Sequence, residues 1–98
     1  MSALRFEWGP VKAAANLRKH GVSFEEAETA FSDENGLLMA DPAHSDAEPR
    51  FILLGLSGAL RVLLVVHCYR AAGATIRIIS ARKATKTERG QYVARWEP

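Results

Sequence analysis

Residues 77–96 read RIISARKATKTERGQYVARW and gather six arginines and lysines around a single acid, Glu88, with Tyr92 four residues further on. On a helix, side chains at i and i+4 lie one above the other, so Glu88 and Tyr92 form a candidate acid–base pair. Arg50, Arg61, Arg70, Arg77 and Arg82 recur through the same half of the chain. This set suits metal-free cleavage of RNA. There a base takes the proton of the 2′-OH as it attacks the adjacent phosphate, cations stabilise the pentavalent oxyanion, and an acid protonates the leaving 5′-oxygen. Arginine fits the cationic role through its fork of donors and its permanent charge.

Each of these residues also has a plainer reading. Arg77 alternates with Ile76 and Ile78, as on the solvent side of a half-buried strand. Glu88 completes a capping box with Thr85, and Tyr92 can pack in a core with Trp96. His20 precedes Gly21, where a histidine stabilises a helix C-terminus without catalysis. His44 falls in a loop, and His67 in an apolar run that suits a hydrogen-bonded core histidine. The acids cluster between Val22 and Arg50 as on a solvated face, so no metal site and no cofactor is expected.

At 98 residues the chain has room for one domain, and 48% hydrophobic residues suffice for a core. Cys68, the one cysteine, lies in an apolar run and reads as a buried thiol in a reducing compartment. The run FILLGLSGALRVLLVVHCY is broken by Gly55, a Ser57-Gly58 turn signal and Arg61, so it reads as two strands rather than a membrane span. With no signal-peptide pattern at the N-terminus, the expectation is a soluble cytoplasmic protein. The net charge of +2 hides a segregation, with a balance of −5 over residues 1–49 and +7 over residues 50–98. Either the basic half faces an anionic partner, nucleic acid above all, or the two halves neutralise each other in the fold.

The elements that must position these residues follow from pattern. LRFEW predicts a short strand. PVKAAANLRKHG predicts a helix with Pro10 at its first position, Gly21 as its cap, and Val11, Ala14, Ala15 and Leu17/Arg18 as a modest apolar stripe, with Lys12, Lys19 and His20 pointing elsewhere. Ser23 and Glu26 make a capping box for a second helix that buries Phe24, Ala27, Ala30 and Phe31. Four strands with short connections follow, then a helix from Lys86 that Gly90 weakens by about 1 kcal/mol against alanine. The fold class is α+β, an N-terminal strand and two helices packed on a curved antiparallel sheet, with a C-terminal helix.

Three stretches together resemble the BrnT family of bacterial toxins. FEWGPVKAAANLRKHGVSFEEAETAF is similar to the family's F-x-W-D-P-x-K-x-x-x-N-x-x-K-H-G-V-x-F-x-E-A opening. DPAHSDAEPRFILLGLSGALRVLLVV is similar to its D-x-x-H-S-x-x-E-x-R segment and G-x-S hairpin, and RIISARKATKTERGQY to its R-I-I-S-A-R-x-A-x-x-x-E-R-x-x-Y ending. The resemblance implies a RelE-like fold and a type II toxin–antitoxin ribonuclease that arrests growth by cutting RNA. It also implies a BrnA-like antitoxin that alone contacts operator DNA, and toxin dimers joined by antitoxin dimers. Family motif residues fall on Trp8, Lys12, Asn16, Lys19, His20, Glu48, Arg50, Arg61, Arg70, Arg77, Arg82, Glu88, Arg89 and Tyr92. Trp8 and Asn16 read as structural. The expected catalytic set is Arg61, Arg70, Arg82, Glu88, Tyr92 and His20, and the expected RNA-binding set is Lys12, Lys19, Arg50, Arg77, Lys83 and Arg89. Two positions depart from the pattern. Gly9 replaces an aspartate that would cap the first helix, and Leu60 replaces a glycine in the hairpin turn before Arg61. A different class of function stays open: an inactive relative that serves as a binding module with its DNA-binding antitoxin.

Overall fold

A computed structural model of the chain describes residues 4–41 and 48–95, so His44 and Trp96 lie outside the described residues. The elements run β1 (Arg5–Glu7), α1 (Pro10–His20), α2 (Phe24–Thr29), a 3-10 turn (Ala30–Ser32), β2 (Leu37–Asp41), β3 (Arg50–Leu56), β4 (Val62–Arg70), β5 (Thr75–Lys83) and α3 (Lys86–Ala94). This is the order expected from the sequence. Strands β2 to β5 form the antiparallel meander, and β1 adds itself parallel to β5, which makes a five-stranded mixed sheet in the order β1-β5-β4-β3-β2.

Strand side chains alternate between faces, so neighbouring leucines are divided between two cores. On one face Val22, Phe24, Ala27 and Ala30 pack on Leu53, Leu63, Val65 and Ile78. On the other, Tyr92 and Ala84 pack on Leu54 and Leu64. The sheet therefore lies between α2 with its preceding helix and α3. Gly55 permits the tightest approach, because a Cβ there would stand 2.8 Å from the Ala30 carbonyl oxygen.

Two local expectations are corrected. The apolar stripe expected to bury α1 faces water, with Val11 81% and Leu17 50% exposed, while Asn16 is the buried residue of that helix. At α2 the Ser23 hydroxyl accepts the Glu26 N–H, but the Glu26 carboxylate turns to Arg61 instead of closing the box. The box at α3 is complete, with Thr85 and Glu88 exchanging both bonds.

The β3–β4 hairpin closes through a turn in which Leu60 N–H donates to Ser57 O (2.9 Å) and Ser57 N–H to Arg61 O (2.9 Å). Leu60 then takes φ 64°, the left-handed position where hairpins of this kind favour glycine. Its side chain is 80% exposed and contributes little burial. Leu60→Gly is therefore expected to stabilise the chain by about 1 kcal/mol, read as an unfolding midpoint several degrees higher in a thermal melt. An unchanged or lower midpoint would show that this turn is unstrained.

Candidate functional site

The fold commits most of the candidate arginines to carboxylates. Arg61 grips Glu26 with Nε (2.7 Å) and Nη2 (2.6 Å) and also donates to the Gly21 carbonyl (2.9 Å). Glu26 accepts the Ser57 hydroxyl as well (2.7 Å), and its carboxyl lies below the ordinary range chiefly because of the Arg61 bond. This hub ties the hairpin tip to the ends of both N-terminal helices. Arg77 donates to Glu7 (2.9 Å), and Arg70 pairs with Glu48 (3.1 Å). Acids of the N-terminal half thus neutralise arginines of the C-terminal half, as one of the two charge readings anticipated.

Arg82 holds Glu88 by two parallel bonds of 2.8 and 2.9 Å, and Glu88 accepts Thr85 N–H (2.8 Å). The Arg82 bonds, against the opposing pull of burial, bring the Glu88 carboxyl down to about 2. Tyr92 is 1% exposed, and its hydroxyl donates to Asp33, which also accepts the backbone N–H of Leu56 (2.8 Å) and Asn35 (3.0 Å). Burial works to raise the Asp33 carboxyl, but these donors together take it lower than usual. Glu88 and Tyr92 therefore do not meet as an exposed pair, although they share a helix face. One bonds across to β5 and the other points into the core.

The folded pKa of Glu88 lies below its unfolded value of about 4.5, so its contribution is complete above that pH and lost as pH falls towards 2. Glu88→Gln is expected to cost about 2 kcal/mol at neutral pH and almost nothing near pH 2, measured by urea unfolding across that range. A constant penalty over the range would exclude the ion pair as its cause.

A different surface remains. Strand β1 pairs with β5 only as far as Arg77, and α1 continues alongside the uncovered edge. There Asn16 stands in for a neighbouring strand: its Oδ1 accepts Ala81 N–H (3.1 Å), and its Nδ2 donates to Ala81 O (2.8 Å) and Val22 O (2.9 Å). A bulge in β5 accompanies this contact. Val66 pairs with Ser80 and His67 with Ile78, so Ile79 is the extra residue. Between α1 and the bulge runs an open groove of about 250 Å³, lined by Lys12, Ala15, Asn16, Lys19, His20, Ile79 and Ser80. Two consecutive strand residues reach one groove because the bulge breaks their alternation.

Among the described residues Lys12 and Lys19 enter no ion pair and are exposed, and His20 is half-buried. The groove unites three of the candidates from sequence, Lys12, Lys19 and His20. It leaves out Arg61, Arg70, Arg82, Glu88 and Tyr92. Lys83 and Arg89 are also exposed, with Arg89 donating to Ala84 O (3.1 Å). Arg50 is half-buried at the start of β3, opposite Asp41 of β2. Ser80 and Ile79 were missed as lining residues; a bulge leaves no signature in RIISARK that would single them out. His67 is the buried core histidine expected, its rings set against Phe31, Phe51 and Tyr69, and burial lowers its pKa. Cys68 is buried, and no three His, Cys, Asp or Glu converge as metal ligands among the described residues. Nor is any helix among them long and apolar enough to cross a membrane.

The five-stranded mixed sheet flanked by helices on both faces is a fold shared with a solved bacterial toxin. The chain is similar to the crystal structure of the ribonuclease toxin BrnT of Brucella abortus, with a TM-score of 0.62 and 22% identity, over 86% of this chain and 100% of that one. A search of curated proteins finds no match. Residues 8–88 match the family described as the ribonuclease toxin, BrnT, of type II toxin–antitoxin systems. The chain belongs to the BrnT family, and a protein antitoxin is the partner that a type II toxin implies.

Proposed function

We propose that this chain is a single-domain endoribonuclease that cuts RNA without a metal ion, in the groove between α1 and β5. The observation that carries the reading is the set of cations there. Lys12 and Lys19 carry no carboxylate partner among the described residues, while Arg61, Arg70, Arg77 and Arg82 each have one. A phosphate in the groove meets two ammonium groups that need not break an ion pair to reach it. His20, one residue from Lys19, is the side chain there suited to take the 2′-OH proton or to protonate the leaving 5′-oxygen. Lys12 and Lys19 stabilise the charge that gathers on the phosphorane oxygens. The Ser80 hydroxyl supplies a polar contact at the groove wall, while Asn16, both of its N–H donors held by Val22 and Ala81, shapes that wall.

In this reading the paired arginines hold the scaffold that aims α1, and Glu88, with its carboxyl near 2, is too weak a base for the task. The toxin acts in the cytoplasm on RNA needed for translation. A BrnA-like antitoxin neutralises it within an assembly of toxin and antitoxin dimers and contacts operator DNA on its behalf.

The test is cleavage of a defined RNA by the purified chain in excess EDTA, with the product ends identified. Fragments that end in 2′,3′-cyclic phosphate support the proposal. Cleavage only after a divalent ion is restored refutes the metal-free mechanism. RNA binding without cutting, in the presence of ribosomes as well as without them, favours the binding module.

A further inference from the structure

The outward face of α1 carries Val11, Ala14 and Leu17 along one helical stripe, with Ala15 where the stripe meets the rim of the groove. All four are exposed. Single exposed aliphatic residues are ordinary, but here a helix buries its asparagine and turns its whole aliphatic stripe to water. The Asn16 bonds to Ala81 and Val22 set that orientation at the expense of leaving Val11 and Leu17 uncovered, and a partner seated on the stripe would remove that expense. The charge on the helix says what kind. α1 contains no acidic residue, and Lys12, Arg18 and Lys19, all exposed, border or interrupt the stripe.

We propose that this face docks a helical segment of the protein antitoxin, one whose own aliphatic stripe is bordered by Asp and Glu. The proposal rests on the chain being an antitoxin-controlled toxin that uses the α1–β5 groove. Charge complementarity selects this occupant, because a second copy would set Lys12, Arg18 and Lys19 against their own counterparts. Nucleic acid would satisfy the lysines but leave Val11 and Leu17 without apolar cover. Lys12 and Lys19 also line the groove. An acidic helix seated on the stripe therefore neutralises the cations that RNA requires, so docking and silencing are one event.

The test compares antitoxin affinity and RNA cleavage in the wild type and in Val11→Asp/Leu17→Asp. Both residues lie outside the groove, so thermal unfolding is expected to stay unchanged and cleavage to fall by no more than about threefold, the solvent-screened effect of two nearby charges, while affinity falls about 100-fold. Arg18→Glu is expected to weaken binding about tenfold and to flatten its salt dependence. As a reading that needs no disruptive change, Ala14→Cys is alkylated by maleimide in the free chain and protected in the complex; Cys68 is buried and does not compete. Affinity within about twofold of wild type in both charge variants, or undiminished Ala14→Cys alkylation in the complex, overturns the proposal. So does a dimer of the chain alone that Val11→Asp/Leu17→Asp dissociates, since the occupant is then a second copy. If the double variant loses the antitoxin but the wild type never cuts RNA, the docking face stands and the ribonuclease reading fails.

Discussion

Asn16→Asp is expected to destabilise the chain by about 3–5 kcal/mol at pH 7, a large share of the 5–15 kcal/mol typical of a small domain. Asn16 is 7% exposed, and its amide NH2 donates to two carbonyl oxygens, of Val22 and Ala81. An aspartate keeps the acceptor for Ala81 N–H but sets a buried negative oxygen against both carbonyls. The charged form is disfavoured in the fold, so the folded pKa of the new carboxyl rises above its unfolded value of about 3.9. The sign follows: stability is lower above the folded pKa and partly recovers as pH falls through it, since the proton relieves the repulsion. Asn16→Ala removes the same bonds without a charge and is expected to cost about 2–3 kcal/mol independently of pH. Urea unfolding of both variants at pH 7 and pH 4 makes the comparison. Equal penalties at both pH values for the aspartate variant would mean that the amide donors are not what holds α1 to the β5 edge.

His20→Ala is expected to lower the rate of RNA cleavage by about 10²–10³-fold while RNA affinity changes little, because proton transfer is worth about that much. Lys19→Ala and Lys12→Ala act on the phosphate instead. Each is expected to weaken RNA binding and to reduce the slope of log affinity against log salt by about 0.7. Arg61→Ala provides the contrast. It leaves Glu26 without its principal cation and frees the hairpin tip, so its loss of activity is expected to track its loss of stability. Cleavage rates measured well below each variant's unfolding midpoint separate the two effects. A His20→Ala enzyme that cuts at the wild-type rate, beside an Arg82→Ala enzyme that is folded and inactive, would move the site to the α3 side of the sheet.

Local rules settled much of the architecture before any tertiary contact was considered. Pro10 and Gly21 bound α1, Thr85 and Glu88 start α3, and the turn residues after Leu56 and Arg70 divide the apolar stretch into strands, because caps and turns are satisfied within a few residues. The family was equally legible, since its motifs are ordered along the chain and need no coordinates. The site was legible only in part. Lys12, Lys19 and His20 were nameable as candidates, but they share a spacing with a solvated helix face, and what makes them a groove is the free edge of β5 beyond Arg77.

Which cations are already engaged could be decided only by packing. Arg61 and Glu26 are 35 residues apart, and Arg77 and Glu7 are 70 apart. Over such separations sequence carries charge but not distance. The same holds for the orientation of α1. Its apolar period is plain in the residues, yet Asn16 can satisfy both backbone groups of Ala81 only when the helix turns that stripe to water. A buried strand edge left unpaired costs more than a few exposed aliphatic side chains, and the fold pays in the smaller term.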